Sequence, residues 1–166
     1  MGEIYVISYL EELGKPMKEP LTGFIGEILI QQGLITPENL HLALKQQQET
    51  GKYLGQILIE HDLINEEDLQ RCLASQLNLD FLNPAEMEIA PEVLGALTAK
   101  MAQQYRVIPV AKGANWLKLA GTDPLDRDLQ ERLGRELKTV IRWAVTTNEQ
   151  IDKALERFYH EQLRTS

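Results

Sequence analysis

The chain has 166 residues, 43% apolar and 25% charged, enough to bury a core in one domain or two small ones and too apolar for a disordered tail. Its 25 acidic residues outnumber 17 basic ones, a formal net charge of −8, so general attraction to nucleic acid polymers or anionic lipid is not expected. Cys72 is the only cysteine, which excludes an intrachain disulfide and a cysteine-based zinc site, and His41, His61 and His160 show no metal-ligand spacing. No apolar run is long enough to insert in a membrane, and the first residues lack the basic-then-apolar order of a secretory signal, so the expectation is a cytoplasmic protein.

Residues 1–20 read as a peripheral arm or linker, with Ile4-Tyr5-Val6-Ile7 a candidate short strand. Residues 21–78 then carry an internal repeat. Phe24 to Gln47 reads FIGEILIQQGLITPENLHLALKQQ and Tyr53 to Gln76 reads YLGQILIEHDLINEEDLQRCLASQ, an ungapped match at an offset of 29. Ten of the 24 aligned positions are identical, among them Gly26/Gly55, Leu29/Leu58, Leu40/Leu69 and Gln47/Gln76. Two amphipathic helices that resemble one another by chance do not hold a glycine and a glutamine in register as well.

Each copy predicts helix, tight turn, helix. Ile25, Ile28 and Leu29 fall on one helical face, and Leu40 with Leu44 continues the apolar stripe in the second helix. Gly33 suits a positive-φ C-terminal position, and Thr36 suits an N-cap followed by Pro37 and Glu38. In the second copy Asn65 is the N-cap. There Asp62 replaces the turn glycine, which is expected to alter that turn because aspartate adopts positive φ less readily.

Residues 79–166 predict a small α/β subdomain. Short helices are expected from Pro91 and over Ala99 to Tyr105. Strands are expected over Arg106–Ala111, Trp116–Ala120 and Lys138–Thr146, with Pro109 marking an edge or a bulge in the first. A helix to about Leu137 separates the second and third strands. Thr147-Asn148-Glu149-Gln150 has capping-box spacing and opens a last helix through Tyr159. The fold class is therefore α+β: a four-helix tandem-repeat subdomain followed by a small α/β subdomain with a short sheet.

No phosphate-binding loop, nucleophile elbow, zinc-protease helix or dinucleotide fingerprint occurs, and Cys72 reads as a small half-buried side chain. Asp123 and Asp126 suit N-capping carboxylates of a strand-to-helix turn. The expectation is a non-catalytic chain, with no cofactor and no metal. Two equal helical units suit a ligand with two equal halves, its phosphates met by backbone N–H groups and its base edges by glutamine. The same glycines also suit close helix packing.

The doubled pattern, an apolar residue and glycine, two apolar residues, a turn, then Leu-x-x-x-Leu-x-x-Gln, resembles that of the MshEN domain. This is the N-terminal domain of type II secretion and type IV pilus assembly ATPases, also attached to some glycosyltransferases. The resemblance runs from about Gly23 to Tyr159. It implies a regulatory domain that binds cyclic di-GMP, one repeat per half of the ligand, on a machine whose other modules and membrane platform are its partners at the inner face of the cytoplasmic membrane. It places one half-site at Phe24, Ile25, Gly26, Leu29, Leu40 and Gln47, and the other at Tyr53, Leu54, Gly55, Leu58, Leu69 and Gln76. Asp123 would approach a guanine from the α/β side.

The chain departs from the family at two positions. Phe24 and Tyr53 stand where the family carries arginine, so two charged donors are replaced by aromatic rings that can stack on a base. Lys52 is a candidate phosphate contact beside Tyr53. The alternative expectation is a docking module that keeps the fold without the ligand and tethers an ATPase or glycosyltransferase to its membrane partner.

Overall fold

The computed structural model describes residues 22–124 and 126–164, and of residues 22–25 the backbone alone. The candidate strand at Ile4–Ile7 lies outside the described residues. The chain divides into two compact units, with the boundary between Gln76 and Leu77.

The first unit is helical. Helix α1 spans Thr22–Gln31, α2 Pro37–Thr50, α3 Leu54–Glu60 and α4 Glu66–Leu77. Thr36 caps α2 by accepting from the Asn39 N–H at 3.1 Å, and Asn65 caps α4 by accepting from the Asp68 N–H at 2.8 Å. Both caps satisfy donors that a helix leaves open at its start. Gly51, at φ 75°, ends α2 with its N–H on the Gln47 carbonyl. Leucines and isoleucines of both repeats meet in one core, with Leu29, Leu40, Leu54, Ile57 and Leu58 fully buried. Burial of each stabilises the fold by roughly 1.5–3 kcal/mol.

The second unit builds its sheet from β1 (Ile108–Lys112), β2 (Trp116–Gly121) and β3 (Val140–Val145), in that spatial order. β1 pairs antiparallel with β2, and β2 pairs parallel with β3 through the crossover helix α7 (Arg127–Leu137). Two short helices, α5 (Pro91–Leu94) and α6 (Ala99–Tyr105), precede the sheet, and α8 (Asn148–Arg164) follows it. The register shift between Pro109 and Ala111 is the expected bulge, on an edge strand that tolerates the missing proline N–H. Arg157 ties α8 to the turn at Pro84–Glu86 by donating to the carbonyls of Ala85 and Met87.

Three expectations shift at element ends. Arg106 and Lys138 do not begin β1 and β3; both sit at left-handed φ (51° and 53°) and close the preceding helices. A helix ended by a positive-φ residue delays the next strand, and periodicity does not register the delay. α8 runs five residues past Tyr159, to Arg164. The capping box is half formed: the Thr147 hydroxyl accepts from the Gln150 N–H at 3.2 Å, but the Gln150 side-chain oxygen is buried with no hydrogen-bond partner. Overall the architecture is the α+β class expected from the sequence.

Candidate functional site

The two repeats share more than sequence. At the end of α1, the Gly33 N–H donates to the Ile30 carbonyl and the Leu34 N–H to the Leu29 carbonyl, both at 2.9 Å. At the end of α3, Asp62 donates to Ile59 at 3.0 Å and Leu63 to Leu58 at 2.9 Å. These are the same pair of closing bonds, 29 residues apart. Gly33 has φ 72° and Asp62 φ 55°. Asp62 therefore keeps the turn it was expected to alter: a short polar side chain accepts the left-handed conformation at a modest cost.

Helix packing repeats as well. A Cβ on Gly26 would lie 2.7 Å from Leu40 Cδ1, and a Cβ on Gly55 would lie 2.6 Å from Leu69 Cδ2. In each copy the glycine lets the first helix close onto a leucine of the second. The turns are also exchanged between copies. Cys72 of α4 donates its thiol hydrogen to Gln32 Oε1 of the first turn at 3.3 Å. His61, which aligns with Gln32, donates from Nε2 to Gln46 Oε1 of α2 at 2.7 Å. Each turn side chain thus reaches the second helix of the other copy, as a pseudo-twofold pair should.

The candidate ligand residues differ in their burial. Leu29, Leu40, Leu54 and Leu58 lie in the core with at most 1% of their surface exposed, and Leu69 is half-buried beside them. Gly26 is buried, while Gly55, Gln47 and Gln76 are half-buried. Tyr53 is open to solvent at 55% exposure, placed at the N-terminal boundary of α3 with no side-chain cap bond. Phe24 and Ile25 belong to α1, and their side chains lie outside the described residues. Asp123 is exposed in the β2–α7 loop of the second unit, where Asp126 caps α7 by accepting from the Leu129 N–H at 2.9 Å.

Lys52, a candidate phosphate contact, is engaged instead with Glu60 at 2.9 Å. That lysine, with Gln56, lowers the Glu60 pKa below its ordinary value. Both partners are exposed, and solvent and salt screen such a pair, so an anion can compete for the lysine. Cys72 is fully buried rather than half-buried, because Ala43 and the leucines of both repeats enclose it. Burial and the Asp68 charge push its thiol up, the opposite of what a nucleophile needs.

Two surface features escaped the sequence reading. An open groove of about 500 Å³ runs beside α2, lined by Leu42, Gln46, Ile57 and His61 among others. Leu42 is 63% exposed there. Its position off the Leu40/Leu44 stripe was the available signal. The other feature is Arg142 stacked over Trp116, 4.3 Å from the ring centroid, which only strand register brings together.

Residues 77–165 match the sequence profile of the MshEN domain. The chain belongs to the MshEN family. This MshEN chain is 27% identical over 145 residues to the type IV pilus assembly ATPase PilB of Myxococcus xanthus, a match covering 85% of the chain and 25% of PilB. It spans about a quarter of that relative's length. Among solved structures it is similar to MshE with cdg, at a TM-score of 0.71 and 26% identity over 81% of this chain and 98% of that one. The N-terminal domain of XpsE shares the fold, with a TM-score of 0.62 and 24% identity over 81% and 92%.

Proposed function

We infer that this MshEN chain is a non-catalytic regulatory domain of a pilus or secretion ATPase, and that it senses cyclic di-GMP through its paired repeats. The observation that carries the reading is the reciprocity of the copies: equal closing turns, equal glycine–leucine contacts and exchanged turn side chains. Two matched halves favour a ligand with two matched halves, and the likeness to MshE with cdg supports the same choice. In this reading the buried leucines back the half-sites. The ligand itself meets Tyr53 and the aromatic Phe24, the glutamines Gln47 and Gln76, and the backbone at Gly26 and Gly55. Binding regulates the machine only if cyclic di-GMP prefers one arrangement of domain and effector over another.

A second reading is a docking module without the ligand. It is favoured by the exposed Tyr53 in place of a charged donor and by the exposed Leu42 over its groove. A polysaccharide-export machine carrying a glycosyltransferase would use the domain in the same way.

Isothermal titration with cyclic di-GMP at moderate salt separates the two. The sensor gives a one-to-one complex of about micromolar affinity or tighter. At a hundredfold excess over Kd, such binding adds about 2.7 kcal/mol of stability and raises Tm. No heat and no Tm shift at about 1 mM ligand, far above the Kd expected of a sensor, leaves the docking module.

A further inference from the structure

Two surfaces of this chain carry opposite charge beside apolar side chains. The first lies at the hairpin end of the sheet. Trp116 and Val140 are register partners on β2 and β3, and Lys118 and Arg142 are the next such pair on the same face. Val140 is 60% exposed. Arg142 stacks on Trp116 and forms no ion pair among the described residues, while Lys118 reaches Asp80. A Cβ on Gly113 would lie 2.2 Å from Trp116 Nε1, so the glycine is what allows the indole to rest on the hairpin in a fixed position. The result is a pre-set apolar and cationic surface on a chain whose net charge is −8.

The second surface is an open groove of about 560 Å³ at the turn of the second repeat. Leu34, Ile59 and Leu63 supply its apolar walls, and Asp62, Glu66 and Asp68 its acidic rim. A valine and an indole face suit those walls. A guanidinium and an ammonium suit that rim, since arginine meets carboxylates through a planar fork.

We propose that the chain associates head to tail, the sheet end of one copy, at Trp116, Val140, Lys118 and Arg142, seating in the acidic groove of the next. A second copy is the occupant because the complementary charges belong to the same sequence, in equal number. Both surfaces are small, which places the contact in the weak, transient class. Because the two surfaces differ, the contact leaves one of each kind open and adds copies toward a ring or a filament.

Sedimentation equilibrium on the full chain tests this between about 10 μM and 1 mM, a range that brackets weak association. The weight-average mass is expected to rise above the monomer's 18.9 kDa as concentration increases. Arg142→Glu and Glu66→Arg should each hold the mass at the monomer value. An equimolar mixture of the two variants should regain the concentration-dependent rise in mass, because the reversed patch of one fits the reversed groove of the other and the patch and groove left unaltered still fit each other. A zero-length carbodiimide on the unaltered chain should join Lys118 of one copy to Glu66 or Asp62 of another, and this readout needs no variant. A parent that stays monomeric throughout, variants that associate like the parent, or a mixture without rescue overturns the proposal.

Discussion

Gly26 faces the end of Leu40 so closely that a methyl group on its Cα would stand 2.7 Å from Leu40 Cδ1. The matching pair, Gly55 and Leu69, would be 2.6 Å apart. The two contacts differ in what surrounds them. Leu40 is sealed in the core at 1% exposure, whereas Leu69 is half-buried and its terminal methyls have room to turn. Alanine gains about 1 kcal/mol of helix propensity over glycine, while forced overpacking costs typically about 1–3 kcal/mol. Gly26→Ala is therefore expected to lower stability by about 1 kcal/mol and Gly55→Ala to change it by less than about 0.5. Urea melts of the two variants should show this asymmetry. Equal losses at both positions would mean that Leu40 relaxes as easily as Leu69.

Asp62 occupies the left-handed position that Gly33 fills in the first repeat. A non-glycine residue there is strained, and part of that strain is returned by the smaller backbone entropy it loses on folding. Asp62→Gly is expected to stabilise the chain by about 0.5–1 kcal/mol, and Gly33→Asp to destabilise it by a similar amount. Thermal melts at matched ionic strength measure both. A destabilised Asp62→Gly would show that the aspartate side chain makes a contact worth more than its backbone strain.

The repeat, its caps and its turns were legible because they are local. Thr36, Asn65 and Gly33 act within three or four residues of themselves, and their chemistry is written in that window. The core stripe was legible for the same reason. What could not be read is set by contacts distant in sequence. Gln32 with Cys72, His61 with Gln46 and Arg142 with Trp116 each require the packed helices or the paired strands first. The late starts of β1 and β3 have a local cause that residue type conceals, since Arg106 and Lys138 take a glycine-like conformation without being glycine. Burial of the candidate site leucines follows from the same packing: spacing gives a face, and only the neighbouring helix decides whether that face meets a ligand or a core.

Tyr159 is buried at 3% exposure, with its hydroxyl donating to the Leu94 carbonyl at 2.9 Å. Burial pushes its phenol up to about 12. In the unfolded chain it titrates near 10. The folded state therefore holds this proton more tightly. Its contribution is complete below about pH 10 and is lost as pH rises to 12, a total of roughly 2–3 kcal/mol. Denaturation followed from pH 8 to 12 should show this loss in the parent and a shallower one in Tyr159→Phe. The phenylalanine variant should itself be about 1–2 kcal/mol less stable at pH 8, because the Leu94 carbonyl loses its donor. Parallel pH profiles would assign the alkaline loss to other groups.

Tyr53 stands open at the head of α3, at the position where an arginine completes the family pattern. Its side chain makes no cap bond, so its replacement removes no structural contact of that kind. An arginine there offers charge-assisted bonds worth roughly 1.5–3 kcal/mol each to an anionic, guanine-bearing ligand, against about 1–3 kcal/mol of ring stacking given up. The fork and the charge act on the phosphates as well as on the base, so the balance favours arginine. Tyr53→Arg is expected to tighten cyclic di-GMP binding, and Phe24→Arg with Tyr53→Arg to tighten it by about tenfold or more, equal to 1.4 kcal/mol, with little change in Tm without ligand. Titration calorimetry of parent, single and double variants measures the series. A double variant that folds as the parent does and binds no better would show that these positions do not face the ligand, and would move the weight of evidence to the docking module.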